Sequence, residues 1–109
     1  MWNKPTTSEL SKKLPKIYAN ENTPLRDTVI HMHFFIGGCD WYIAEFDGDD
    51  MLWGFAILNE DYQMAEWGYC SYKEFRELKV GVTEVDNDLH WQPRPAGEID
   101  KIKKCLNAF

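Results

Sequence analysis

From Val29 to Cys70 apolar residues come in short blocks separated by polar or glycine-rich turns, the rhythm of an antiparallel meander. Val29–Ile36 is followed by Gly37-Gly38, Cys39–Phe46 by Asp47-Gly48-Asp49-Asp50, and Met51–Leu58 by Asn59-Glu60-Asp61, which leads into Tyr62–Cys70. Each block is predicted to be a strand, and Gly37-Gly38 has the chemistry of a tight hairpin. The flanks follow other rules. Thr6 with Glu9, and Ser71 with Glu74, have capping-box spacing, so short helices are predicted over about Thr7–Lys13, stopped before Pro15, and over Tyr72–Leu78. Ala19–Pro24 and the proline-bearing stretch Asp86–Ala96 are predicted loops. Val80–Val85 is a fifth strand or an irregular return, and Glu98–Ala108 is compatible with helix. The expected fold is one α+β domain over residues 1–109: an antiparallel meander of four to five strands with two to three short helices.

Hairpin register assigns faces, because side chains alternate along each strand. Closing the first hairpin on Gly37-Gly38 sets Phe35 opposite Asp40 and His33 opposite Tyr42. A four-residue second turn pairs Phe46 with Met51, and a three-residue third turn pairs Leu58 with Tyr62. One face then carries His31, His33, Asp40, Tyr42, Ala44, Phe46, Trp53, Phe55, Trp67 and Tyr69. The other carries Ile30, Phe34, Trp41, Ile43, Glu45, Leu52, Gly54, Leu58, Met64 and Glu66. Both are too apolar to stay wet, so helices are expected on one and the proline-rich loop, a second copy or a partner on the other. A bulge would reverse every assignment beyond it.

The net charge of −6 is concentrated in the middle of the chain. Between Glu45 and Asp88 twelve carboxylates face only Lys73, Arg76 and Lys79. Such a surface disfavours direct nucleic-acid binding and favours a basic protein partner, although solvation alone also explains it. The longest apolar run, Met51–Leu58, is too short for a membrane span, and Met1–Pro5 lack a secretory pattern. Cys39, Cys70 and Cys105 are odd in number and widely spaced, which suits free thiols in a cytoplasmic protein.

Three sets of residues could carry chemistry. His31 and His33, two apart on a strand with Asp40 across the hairpin, could form a facial metal triad, though the set lacks a confirming fourth ligand. Glu45 and Glu66 could divide acid and base roles from the same face, or accept hydrogen bonds at the sheet margin. Tyr42, Trp53, Phe55, Trp67 and Tyr69 could bind a partner or simply pack the core. No phosphate loop or nucleophile–base set is evident, and no cofactor is expected.

The run His33–Asp47, together with Met1–Pro5, Gly54–Leu58 and Ala65–Tyr69, resembles the DUF2958 family, a domain of unknown function. The resemblance covers Met1 to about Pro95. It implies a small bacterial protein of the kind carried by plasmids, phages and integrated elements, and supplies no catalytic residue. The leading expectation is a non-enzymatic accessory protein of a mobile genetic element, in its concrete form an acidic inhibitor of a nucleic-acid-binding defence protein. Its expected contacts are Asp47, Asp49, Asp50, Glu60, Asp61, Tyr42, Trp53, Trp67 and Tyr69. The alternatives are a small hydrolase or metal enzyme using His31, His33 and Asp40 or Glu45 and Glu66, and a structural subunit of a homodimer or larger homo-oligomer.

Overall fold

Both capping boxes form. In the computed structural model, which describes residues 5–81 and 83–109 (Val80 by backbone only), Thr6 accepts from the Glu9 amide at the start of α1 (Thr7–Lys13). Ser71 accepts from the Glu74 amide at the start of α2 (Tyr72–Glu77). Met1–Lys4, part of the DUF2958 resemblance, and Val82, within the predicted fifth strand, lie outside the described residues.

The meander is β2 (Met32–Ile36), β3 (Cys39–Phe46), β4 (Met51–Ile57) and β5 (Glu66–Ser71). A fifth strand, β8 (Asp86–Asn87), joins β2 after the chain crosses over, giving an all-antiparallel sheet ordered β5-β4-β3-β2-β8. The fold is α+β. Gly37 takes a φ of +53° in the first hairpin, and Phe35 lies opposite Asp40 and His33 opposite Tyr42, as the register requires.

Two cores form, one on each face. Leu10 and Leu14 of the first helical segment and Tyr72 and Phe75 of α2 cover Phe34, Trp41, Ile43 and Leu52. The C-terminal segment, through Ala96, Ile99, Ile102, Cys105 and Ala108, covers Tyr42, Ala44, Phe55 and Ile57. That segment is a 3-10 turn (Ala96–Glu98) followed by α3 (Asp100–Lys103), shorter than the helix-compatible stretch Glu98–Ala108.

Three departures from the expected register matter. The β3–β4 register shifts between Ile43 and Glu45, so Glu45 opposes Trp53 and Phe46 opposes Leu52 instead of Met51. Beyond this bulge Phe46 joins the helix-covered core and Glu45 moves to the Trp53 side, the reverse of the expected faces. Gly54 makes the bulge sterically feasible, since a Cβ there would stand 2.0 Å from the Tyr42 carbonyl oxygen. Second, the first strand breaks at His31: β1 (Val29–Ile30) pairs with β9 (Arg94–Pro95), which carries Ile30 into the C-terminal core. Third, Leu58 and Tyr62 do not pair; residues 58–65 form an irregular connection in which Asn59 and Glu60 take φ of +53° and +57°. Leu58 and Met64 are consequently exposed, while Trp67 and Tyr69 keep their expected face because Phe55 pairs with Trp67 and Trp53 with Tyr69.

β6 (Lys79–Val80) and β7 (Thr83–Glu84) form a separate small hairpin where one strand or return was expected. β8 and β9 fall within the predicted loop Asp86–Ala96, whose prolines conceal strands of only two residues each. All three cysteines are free thiols. Among the described residues no helix is long and apolar enough to cross a membrane.

Candidate functional site

β3 carries two buried carboxylates, Asp40 near its start and Glu45 near its end, with relative exposures of 5% and 4%. They have opposite surroundings.

Asp40 is matched by a ring nitrogen and a cation. One oxygen lies 2.7 Å from His33 Nε2, and the other accepts from Lys101 Nζ at 2.9 Å. His33 Nδ1 is 3.3 Å from Asp88 Oδ2. The ring is stacked on Tyr42, with centroids 4.6 Å apart, and tilted against Trp91. Burial raises the Asp40 pKa, but the hydrogen bonds from His33 and Lys101 and their charges outweigh it and hold the carboxyl below 3.8. The Asp40 hydrogen bond raises the pKa of Lys101. The cluster ties α3 and the β8 end to the hairpin and lines a cleft of about 490 Å³. His31 lies beyond the strand break, with its pKa lowered by burial. Among the described residues no three His, Cys, Asp or Glu side chains are placed to hold a metal. The triad His31, His33 and Asp40 is therefore not assembled: His33 and Asp40 are partners, and His31 is apart.

The Glu45–Glu66 pair is not assembled either, because the bulge puts the two on opposite faces. Glu66 is exposed beside Ala56 at the sheet edge. Glu45 accepts three hydrogen bonds of 2.9 Å, from the Tyr18 amide, the Asn20 amide and Asn20 Nδ2. All three donors are neutral. Among the described residues no cation lies within ion-pair distance of it. The bonds fold the loop before the 3-10 turn Leu25–Asp27 onto the sheet and hold Tyr18 at a φ of +72°. That conformation costs a tyrosine roughly 1–3 kcal/mol. Tyr18 is nonetheless 68% exposed.

Tyr18 continues an aromatic strip. It lines the same hollow as Tyr69, whose pKa is raised by desolvation, then by Tyr18 and the Glu45 charge. Tyr69 is the cross-strand neighbour of Trp53, and Trp53 stacks on Trp67 with ring centroids 5.0 Å apart. Trp67 is fixed from behind by Nε1 donating to the Ala108 carbonyl at 2.7 Å. Tyr18, Trp53, Tyr69 and Leu25 wall a hollow of about 450 Å³ with Glu45 at its floor. Of the aromatics expected to make contacts, Trp53, Trp67 and Tyr69 reach the surface, whereas Tyr42 is buried and serves the core.

The acidic residues also divide. Asp47 Oδ1 accepts from the amides of Asp49, Asp50 and Met51, which lowers its pKa and closes the turn. Asp50 accepts from Ser71 Oγ and the Lys73 amide, fixing the start of α2. Asp61 accepts from the Gln63 and Met64 amides. Asp49 and Glu60 are exposed, and the Glu60 amide, unlike its side chain, is held by the Gly38 carbonyl. The expected acidic contacts are thus largely turn-forming residues, with both oxygens of Asp50 engaged and one of Asp47 and of Asp61.

Tyr18, Asn20, Asp88 and Lys101 were missed by sequence reasoning. Lys101 and Asp88 come from segments with no periodicity, and nothing in the polar loop 19–24 distinguishes Asn20 as a partner of Glu45. A scan against protein-family models and searches of curated proteins and of solved structures find no match to this chain.

Proposed function

We propose that this chain is a non-enzymatic binding protein that engages a basic protein surface. The observation that carries this reading is the aromatic group Tyr18, Tyr69, Trp53 and Trp67, left partly exposed at the β4–β5 side of a well-covered sheet. Tyrosine and tryptophan give large contact area at small entropic cost and dominate binding hot spots. The acidic turn Asp47–Asp50 stands at the same end of β4 and supplies steering charge, and Glu60 and Asp61 add charge at the opposite end. In its concrete form the protein is an accessory factor of a mobile genetic element, an acidic inhibitor of a nucleic-acid-binding defence protein.

Against catalysis stands the engagement of the acid–base groups: both nitrogens of His33 and both oxygens of Asp40 have partners. The test is affinity capture from bacterial lysate with the wild type and with Trp53→Ala/Tyr69→Ala. A basic protein retained only by the wild type, and released by rising salt, is the expected result. Equal capture by both proteins overturns the reading. The position of β5 at a sheet edge favours a second reading, a homodimer formed by strand pairing. Sedimentation of the purified protein across a concentration series separates the two.

A further inference from the structure

We propose that the hollow over Glu45 is a socket for one arginine side chain of the basic partner. This rests on the binding reading above and assigns its anchor point. The argument starts from charge. Glu45 is a buried carboxylate whose hydrogen bonds come only from backbone and side-chain amides, so they orient it without neutralising it. A carboxylate has about four lone-pair positions. Three are used, one on Oε1 and two on Oε2, which leaves an acceptor position on Oε1.

The walls are the second part. Trp53, Tyr18 and Tyr69 line the same hollow, and a cation is attracted to the faces of such rings. Guanidinium suits this site better than ammonium. It is planar and weakly hydrated, stacks on aromatic rings, and can give one N–H to Oε1 while its plane lies against the lining rings. Glu21 at the rim adds a further negative charge. The hollow is within the ~300–1,000 Å³ range of ligand pockets and open enough to admit a side chain from a protein surface.

The third part is the loop. Tyr18 is held in a left-handed conformation by the same carboxylate that floors the hollow, so the wall and the charge are one assembly. An exposed tyrosine in that conformation is otherwise an unfavourable choice, since glycine or asparagine would fit the backbone better.

The probe is the peptide acetyl-Gly-Arg-Gly-amide, compared with its citrulline analogue, which is nearly isosteric but neutral, and with the lysine analogue. Binding to the full chain is followed by amide shifts of Tyr18 and Asn20 and the indole shift of Trp53. Arginine peptide should give saturable shifts at these three positions, citrulline peptide none, and lysine peptide a weaker response. Tyr18→Gly, which suits the φ of Tyr18, and Tyr69→Ser should each weaken the arginine peptide by about 5-fold while leaving the remaining spectrum in place. Equal response to citrulline, stronger response to lysine, or no saturable shift overturns the socket. If the socket fails while partner capture still depends on Trp53 and Tyr69, the binding reading stands without it; if capture ignores both residues, the binding reading itself fails.

Discussion

Asp40 and Glu45 stand five positions apart on one strand and are equally buried, yet the protein treats them in opposite ways. Asp40 meets His33 and Lys101 and closes an ion network between the hairpin, the β8 end and α3. Glu45 meets only neutral N–H groups under a partly exposed aromatic wall. A buried carboxylate with a matched cation is a structural tie; one that is oriented but not neutralised retains attraction for an incoming cation. The comparison separates the part of the molecule that is finished from the part that is still open.

The contrast depends on the bulge at Ala44, without which Glu45 would share a face with Trp41 and Ile43. The largest expected effect therefore comes from Gly54→Ala. The new methyl meets backbone on the neighbouring strand, with the Tyr42 carbonyl oxygen 2.0 Å away and Ile43 Cα at 2.9 Å, so the sheet must move. We expect a loss of about 3 kcal/mol in chemical denaturation, together with loss of the Trp53 environment seen in near-UV circular dichroism. A change below about 0.5 kcal/mol would mean the bulge is not held as described.

The two carboxylates can next be compared directly. Glu45→Ala leaves three donors without their acceptor, but the loop can open to water; we expect about 2 kcal/mol, with rapid hydrogen exchange confined to the amides of Tyr18 and Asn20. Asp40→Ala should cost a similar amount, reduced by the partial exposure of Lys101, and its effect should not add to that of Lys101→Met. Additivity of that pair would show the network to be uncoupled.

Acid provides a sharper distinction. The folded-state pKa of Asp40 is depressed, so its contribution is fully present above the ordinary value of 3.8 and is lost as pH falls through the lower folded value. Lys101 is the mirror case: its pKa is raised, so its contribution is complete below 10.5 and disappears as pH rises past the folded value. Melting temperature against pH should fall at both limits, and Asp40→Asn should flatten both. An unchanged acid limb in that variant would remove Asp40 from the account.

Most of the scaffold is legible in the sequence, and the sites are less so, for physical reasons. Capping boxes and the Gly37-Gly38 hairpin are local chemistry, so α1, α2 and the β2–β3 register follow directly. The bulge at Ala44 is not local. It is tied to the lack of a Cβ at Gly54 on the next strand, and one extra residue exchanges the faces of Glu45 and Phe46. The break at His31 reflects pairing with Arg94–Pro95, some sixty residues away in sequence, where proline argues against any strand. Trp53, Trp67 and Tyr69 could be placed on one face, but their partial exposure depends on how far the C-terminal segment reaches across the sheet, which periodicity does not encode.

The smallest stability effect belongs to the acidic turn and separates steering charge from scaffold. Asp47 and Asp49 are both exposed, but the side chain of Asp47 holds three amides and no turn bond uses that of Asp49. Asp47→Ala should cost about 1 kcal/mol, the ordinary value of a turn-closing side chain, whereas Asp49→Asn should lie within about 0.5 kcal/mol of the wild type. Asp50 is unsuitable for a charge test because its two oxygens hold Ser71 and Lys73. Asp49→Asn combined with Glu60→Gln removes charge at both ends of the sheet without touching a turn-closing acceptor. With a basic partner of the proposed kind, that double variant should associate more slowly than the wild type at low salt and at the same rate at high salt, where charges are screened beyond roughly 3 Å. Dissociation should be unchanged if residence is set by the aromatic strip and the proposed Glu45 socket. Slower association that persists at high salt, or faster dissociation, would place Asp49 or Glu60 in the contact itself and move the interface off the open end of the sheet.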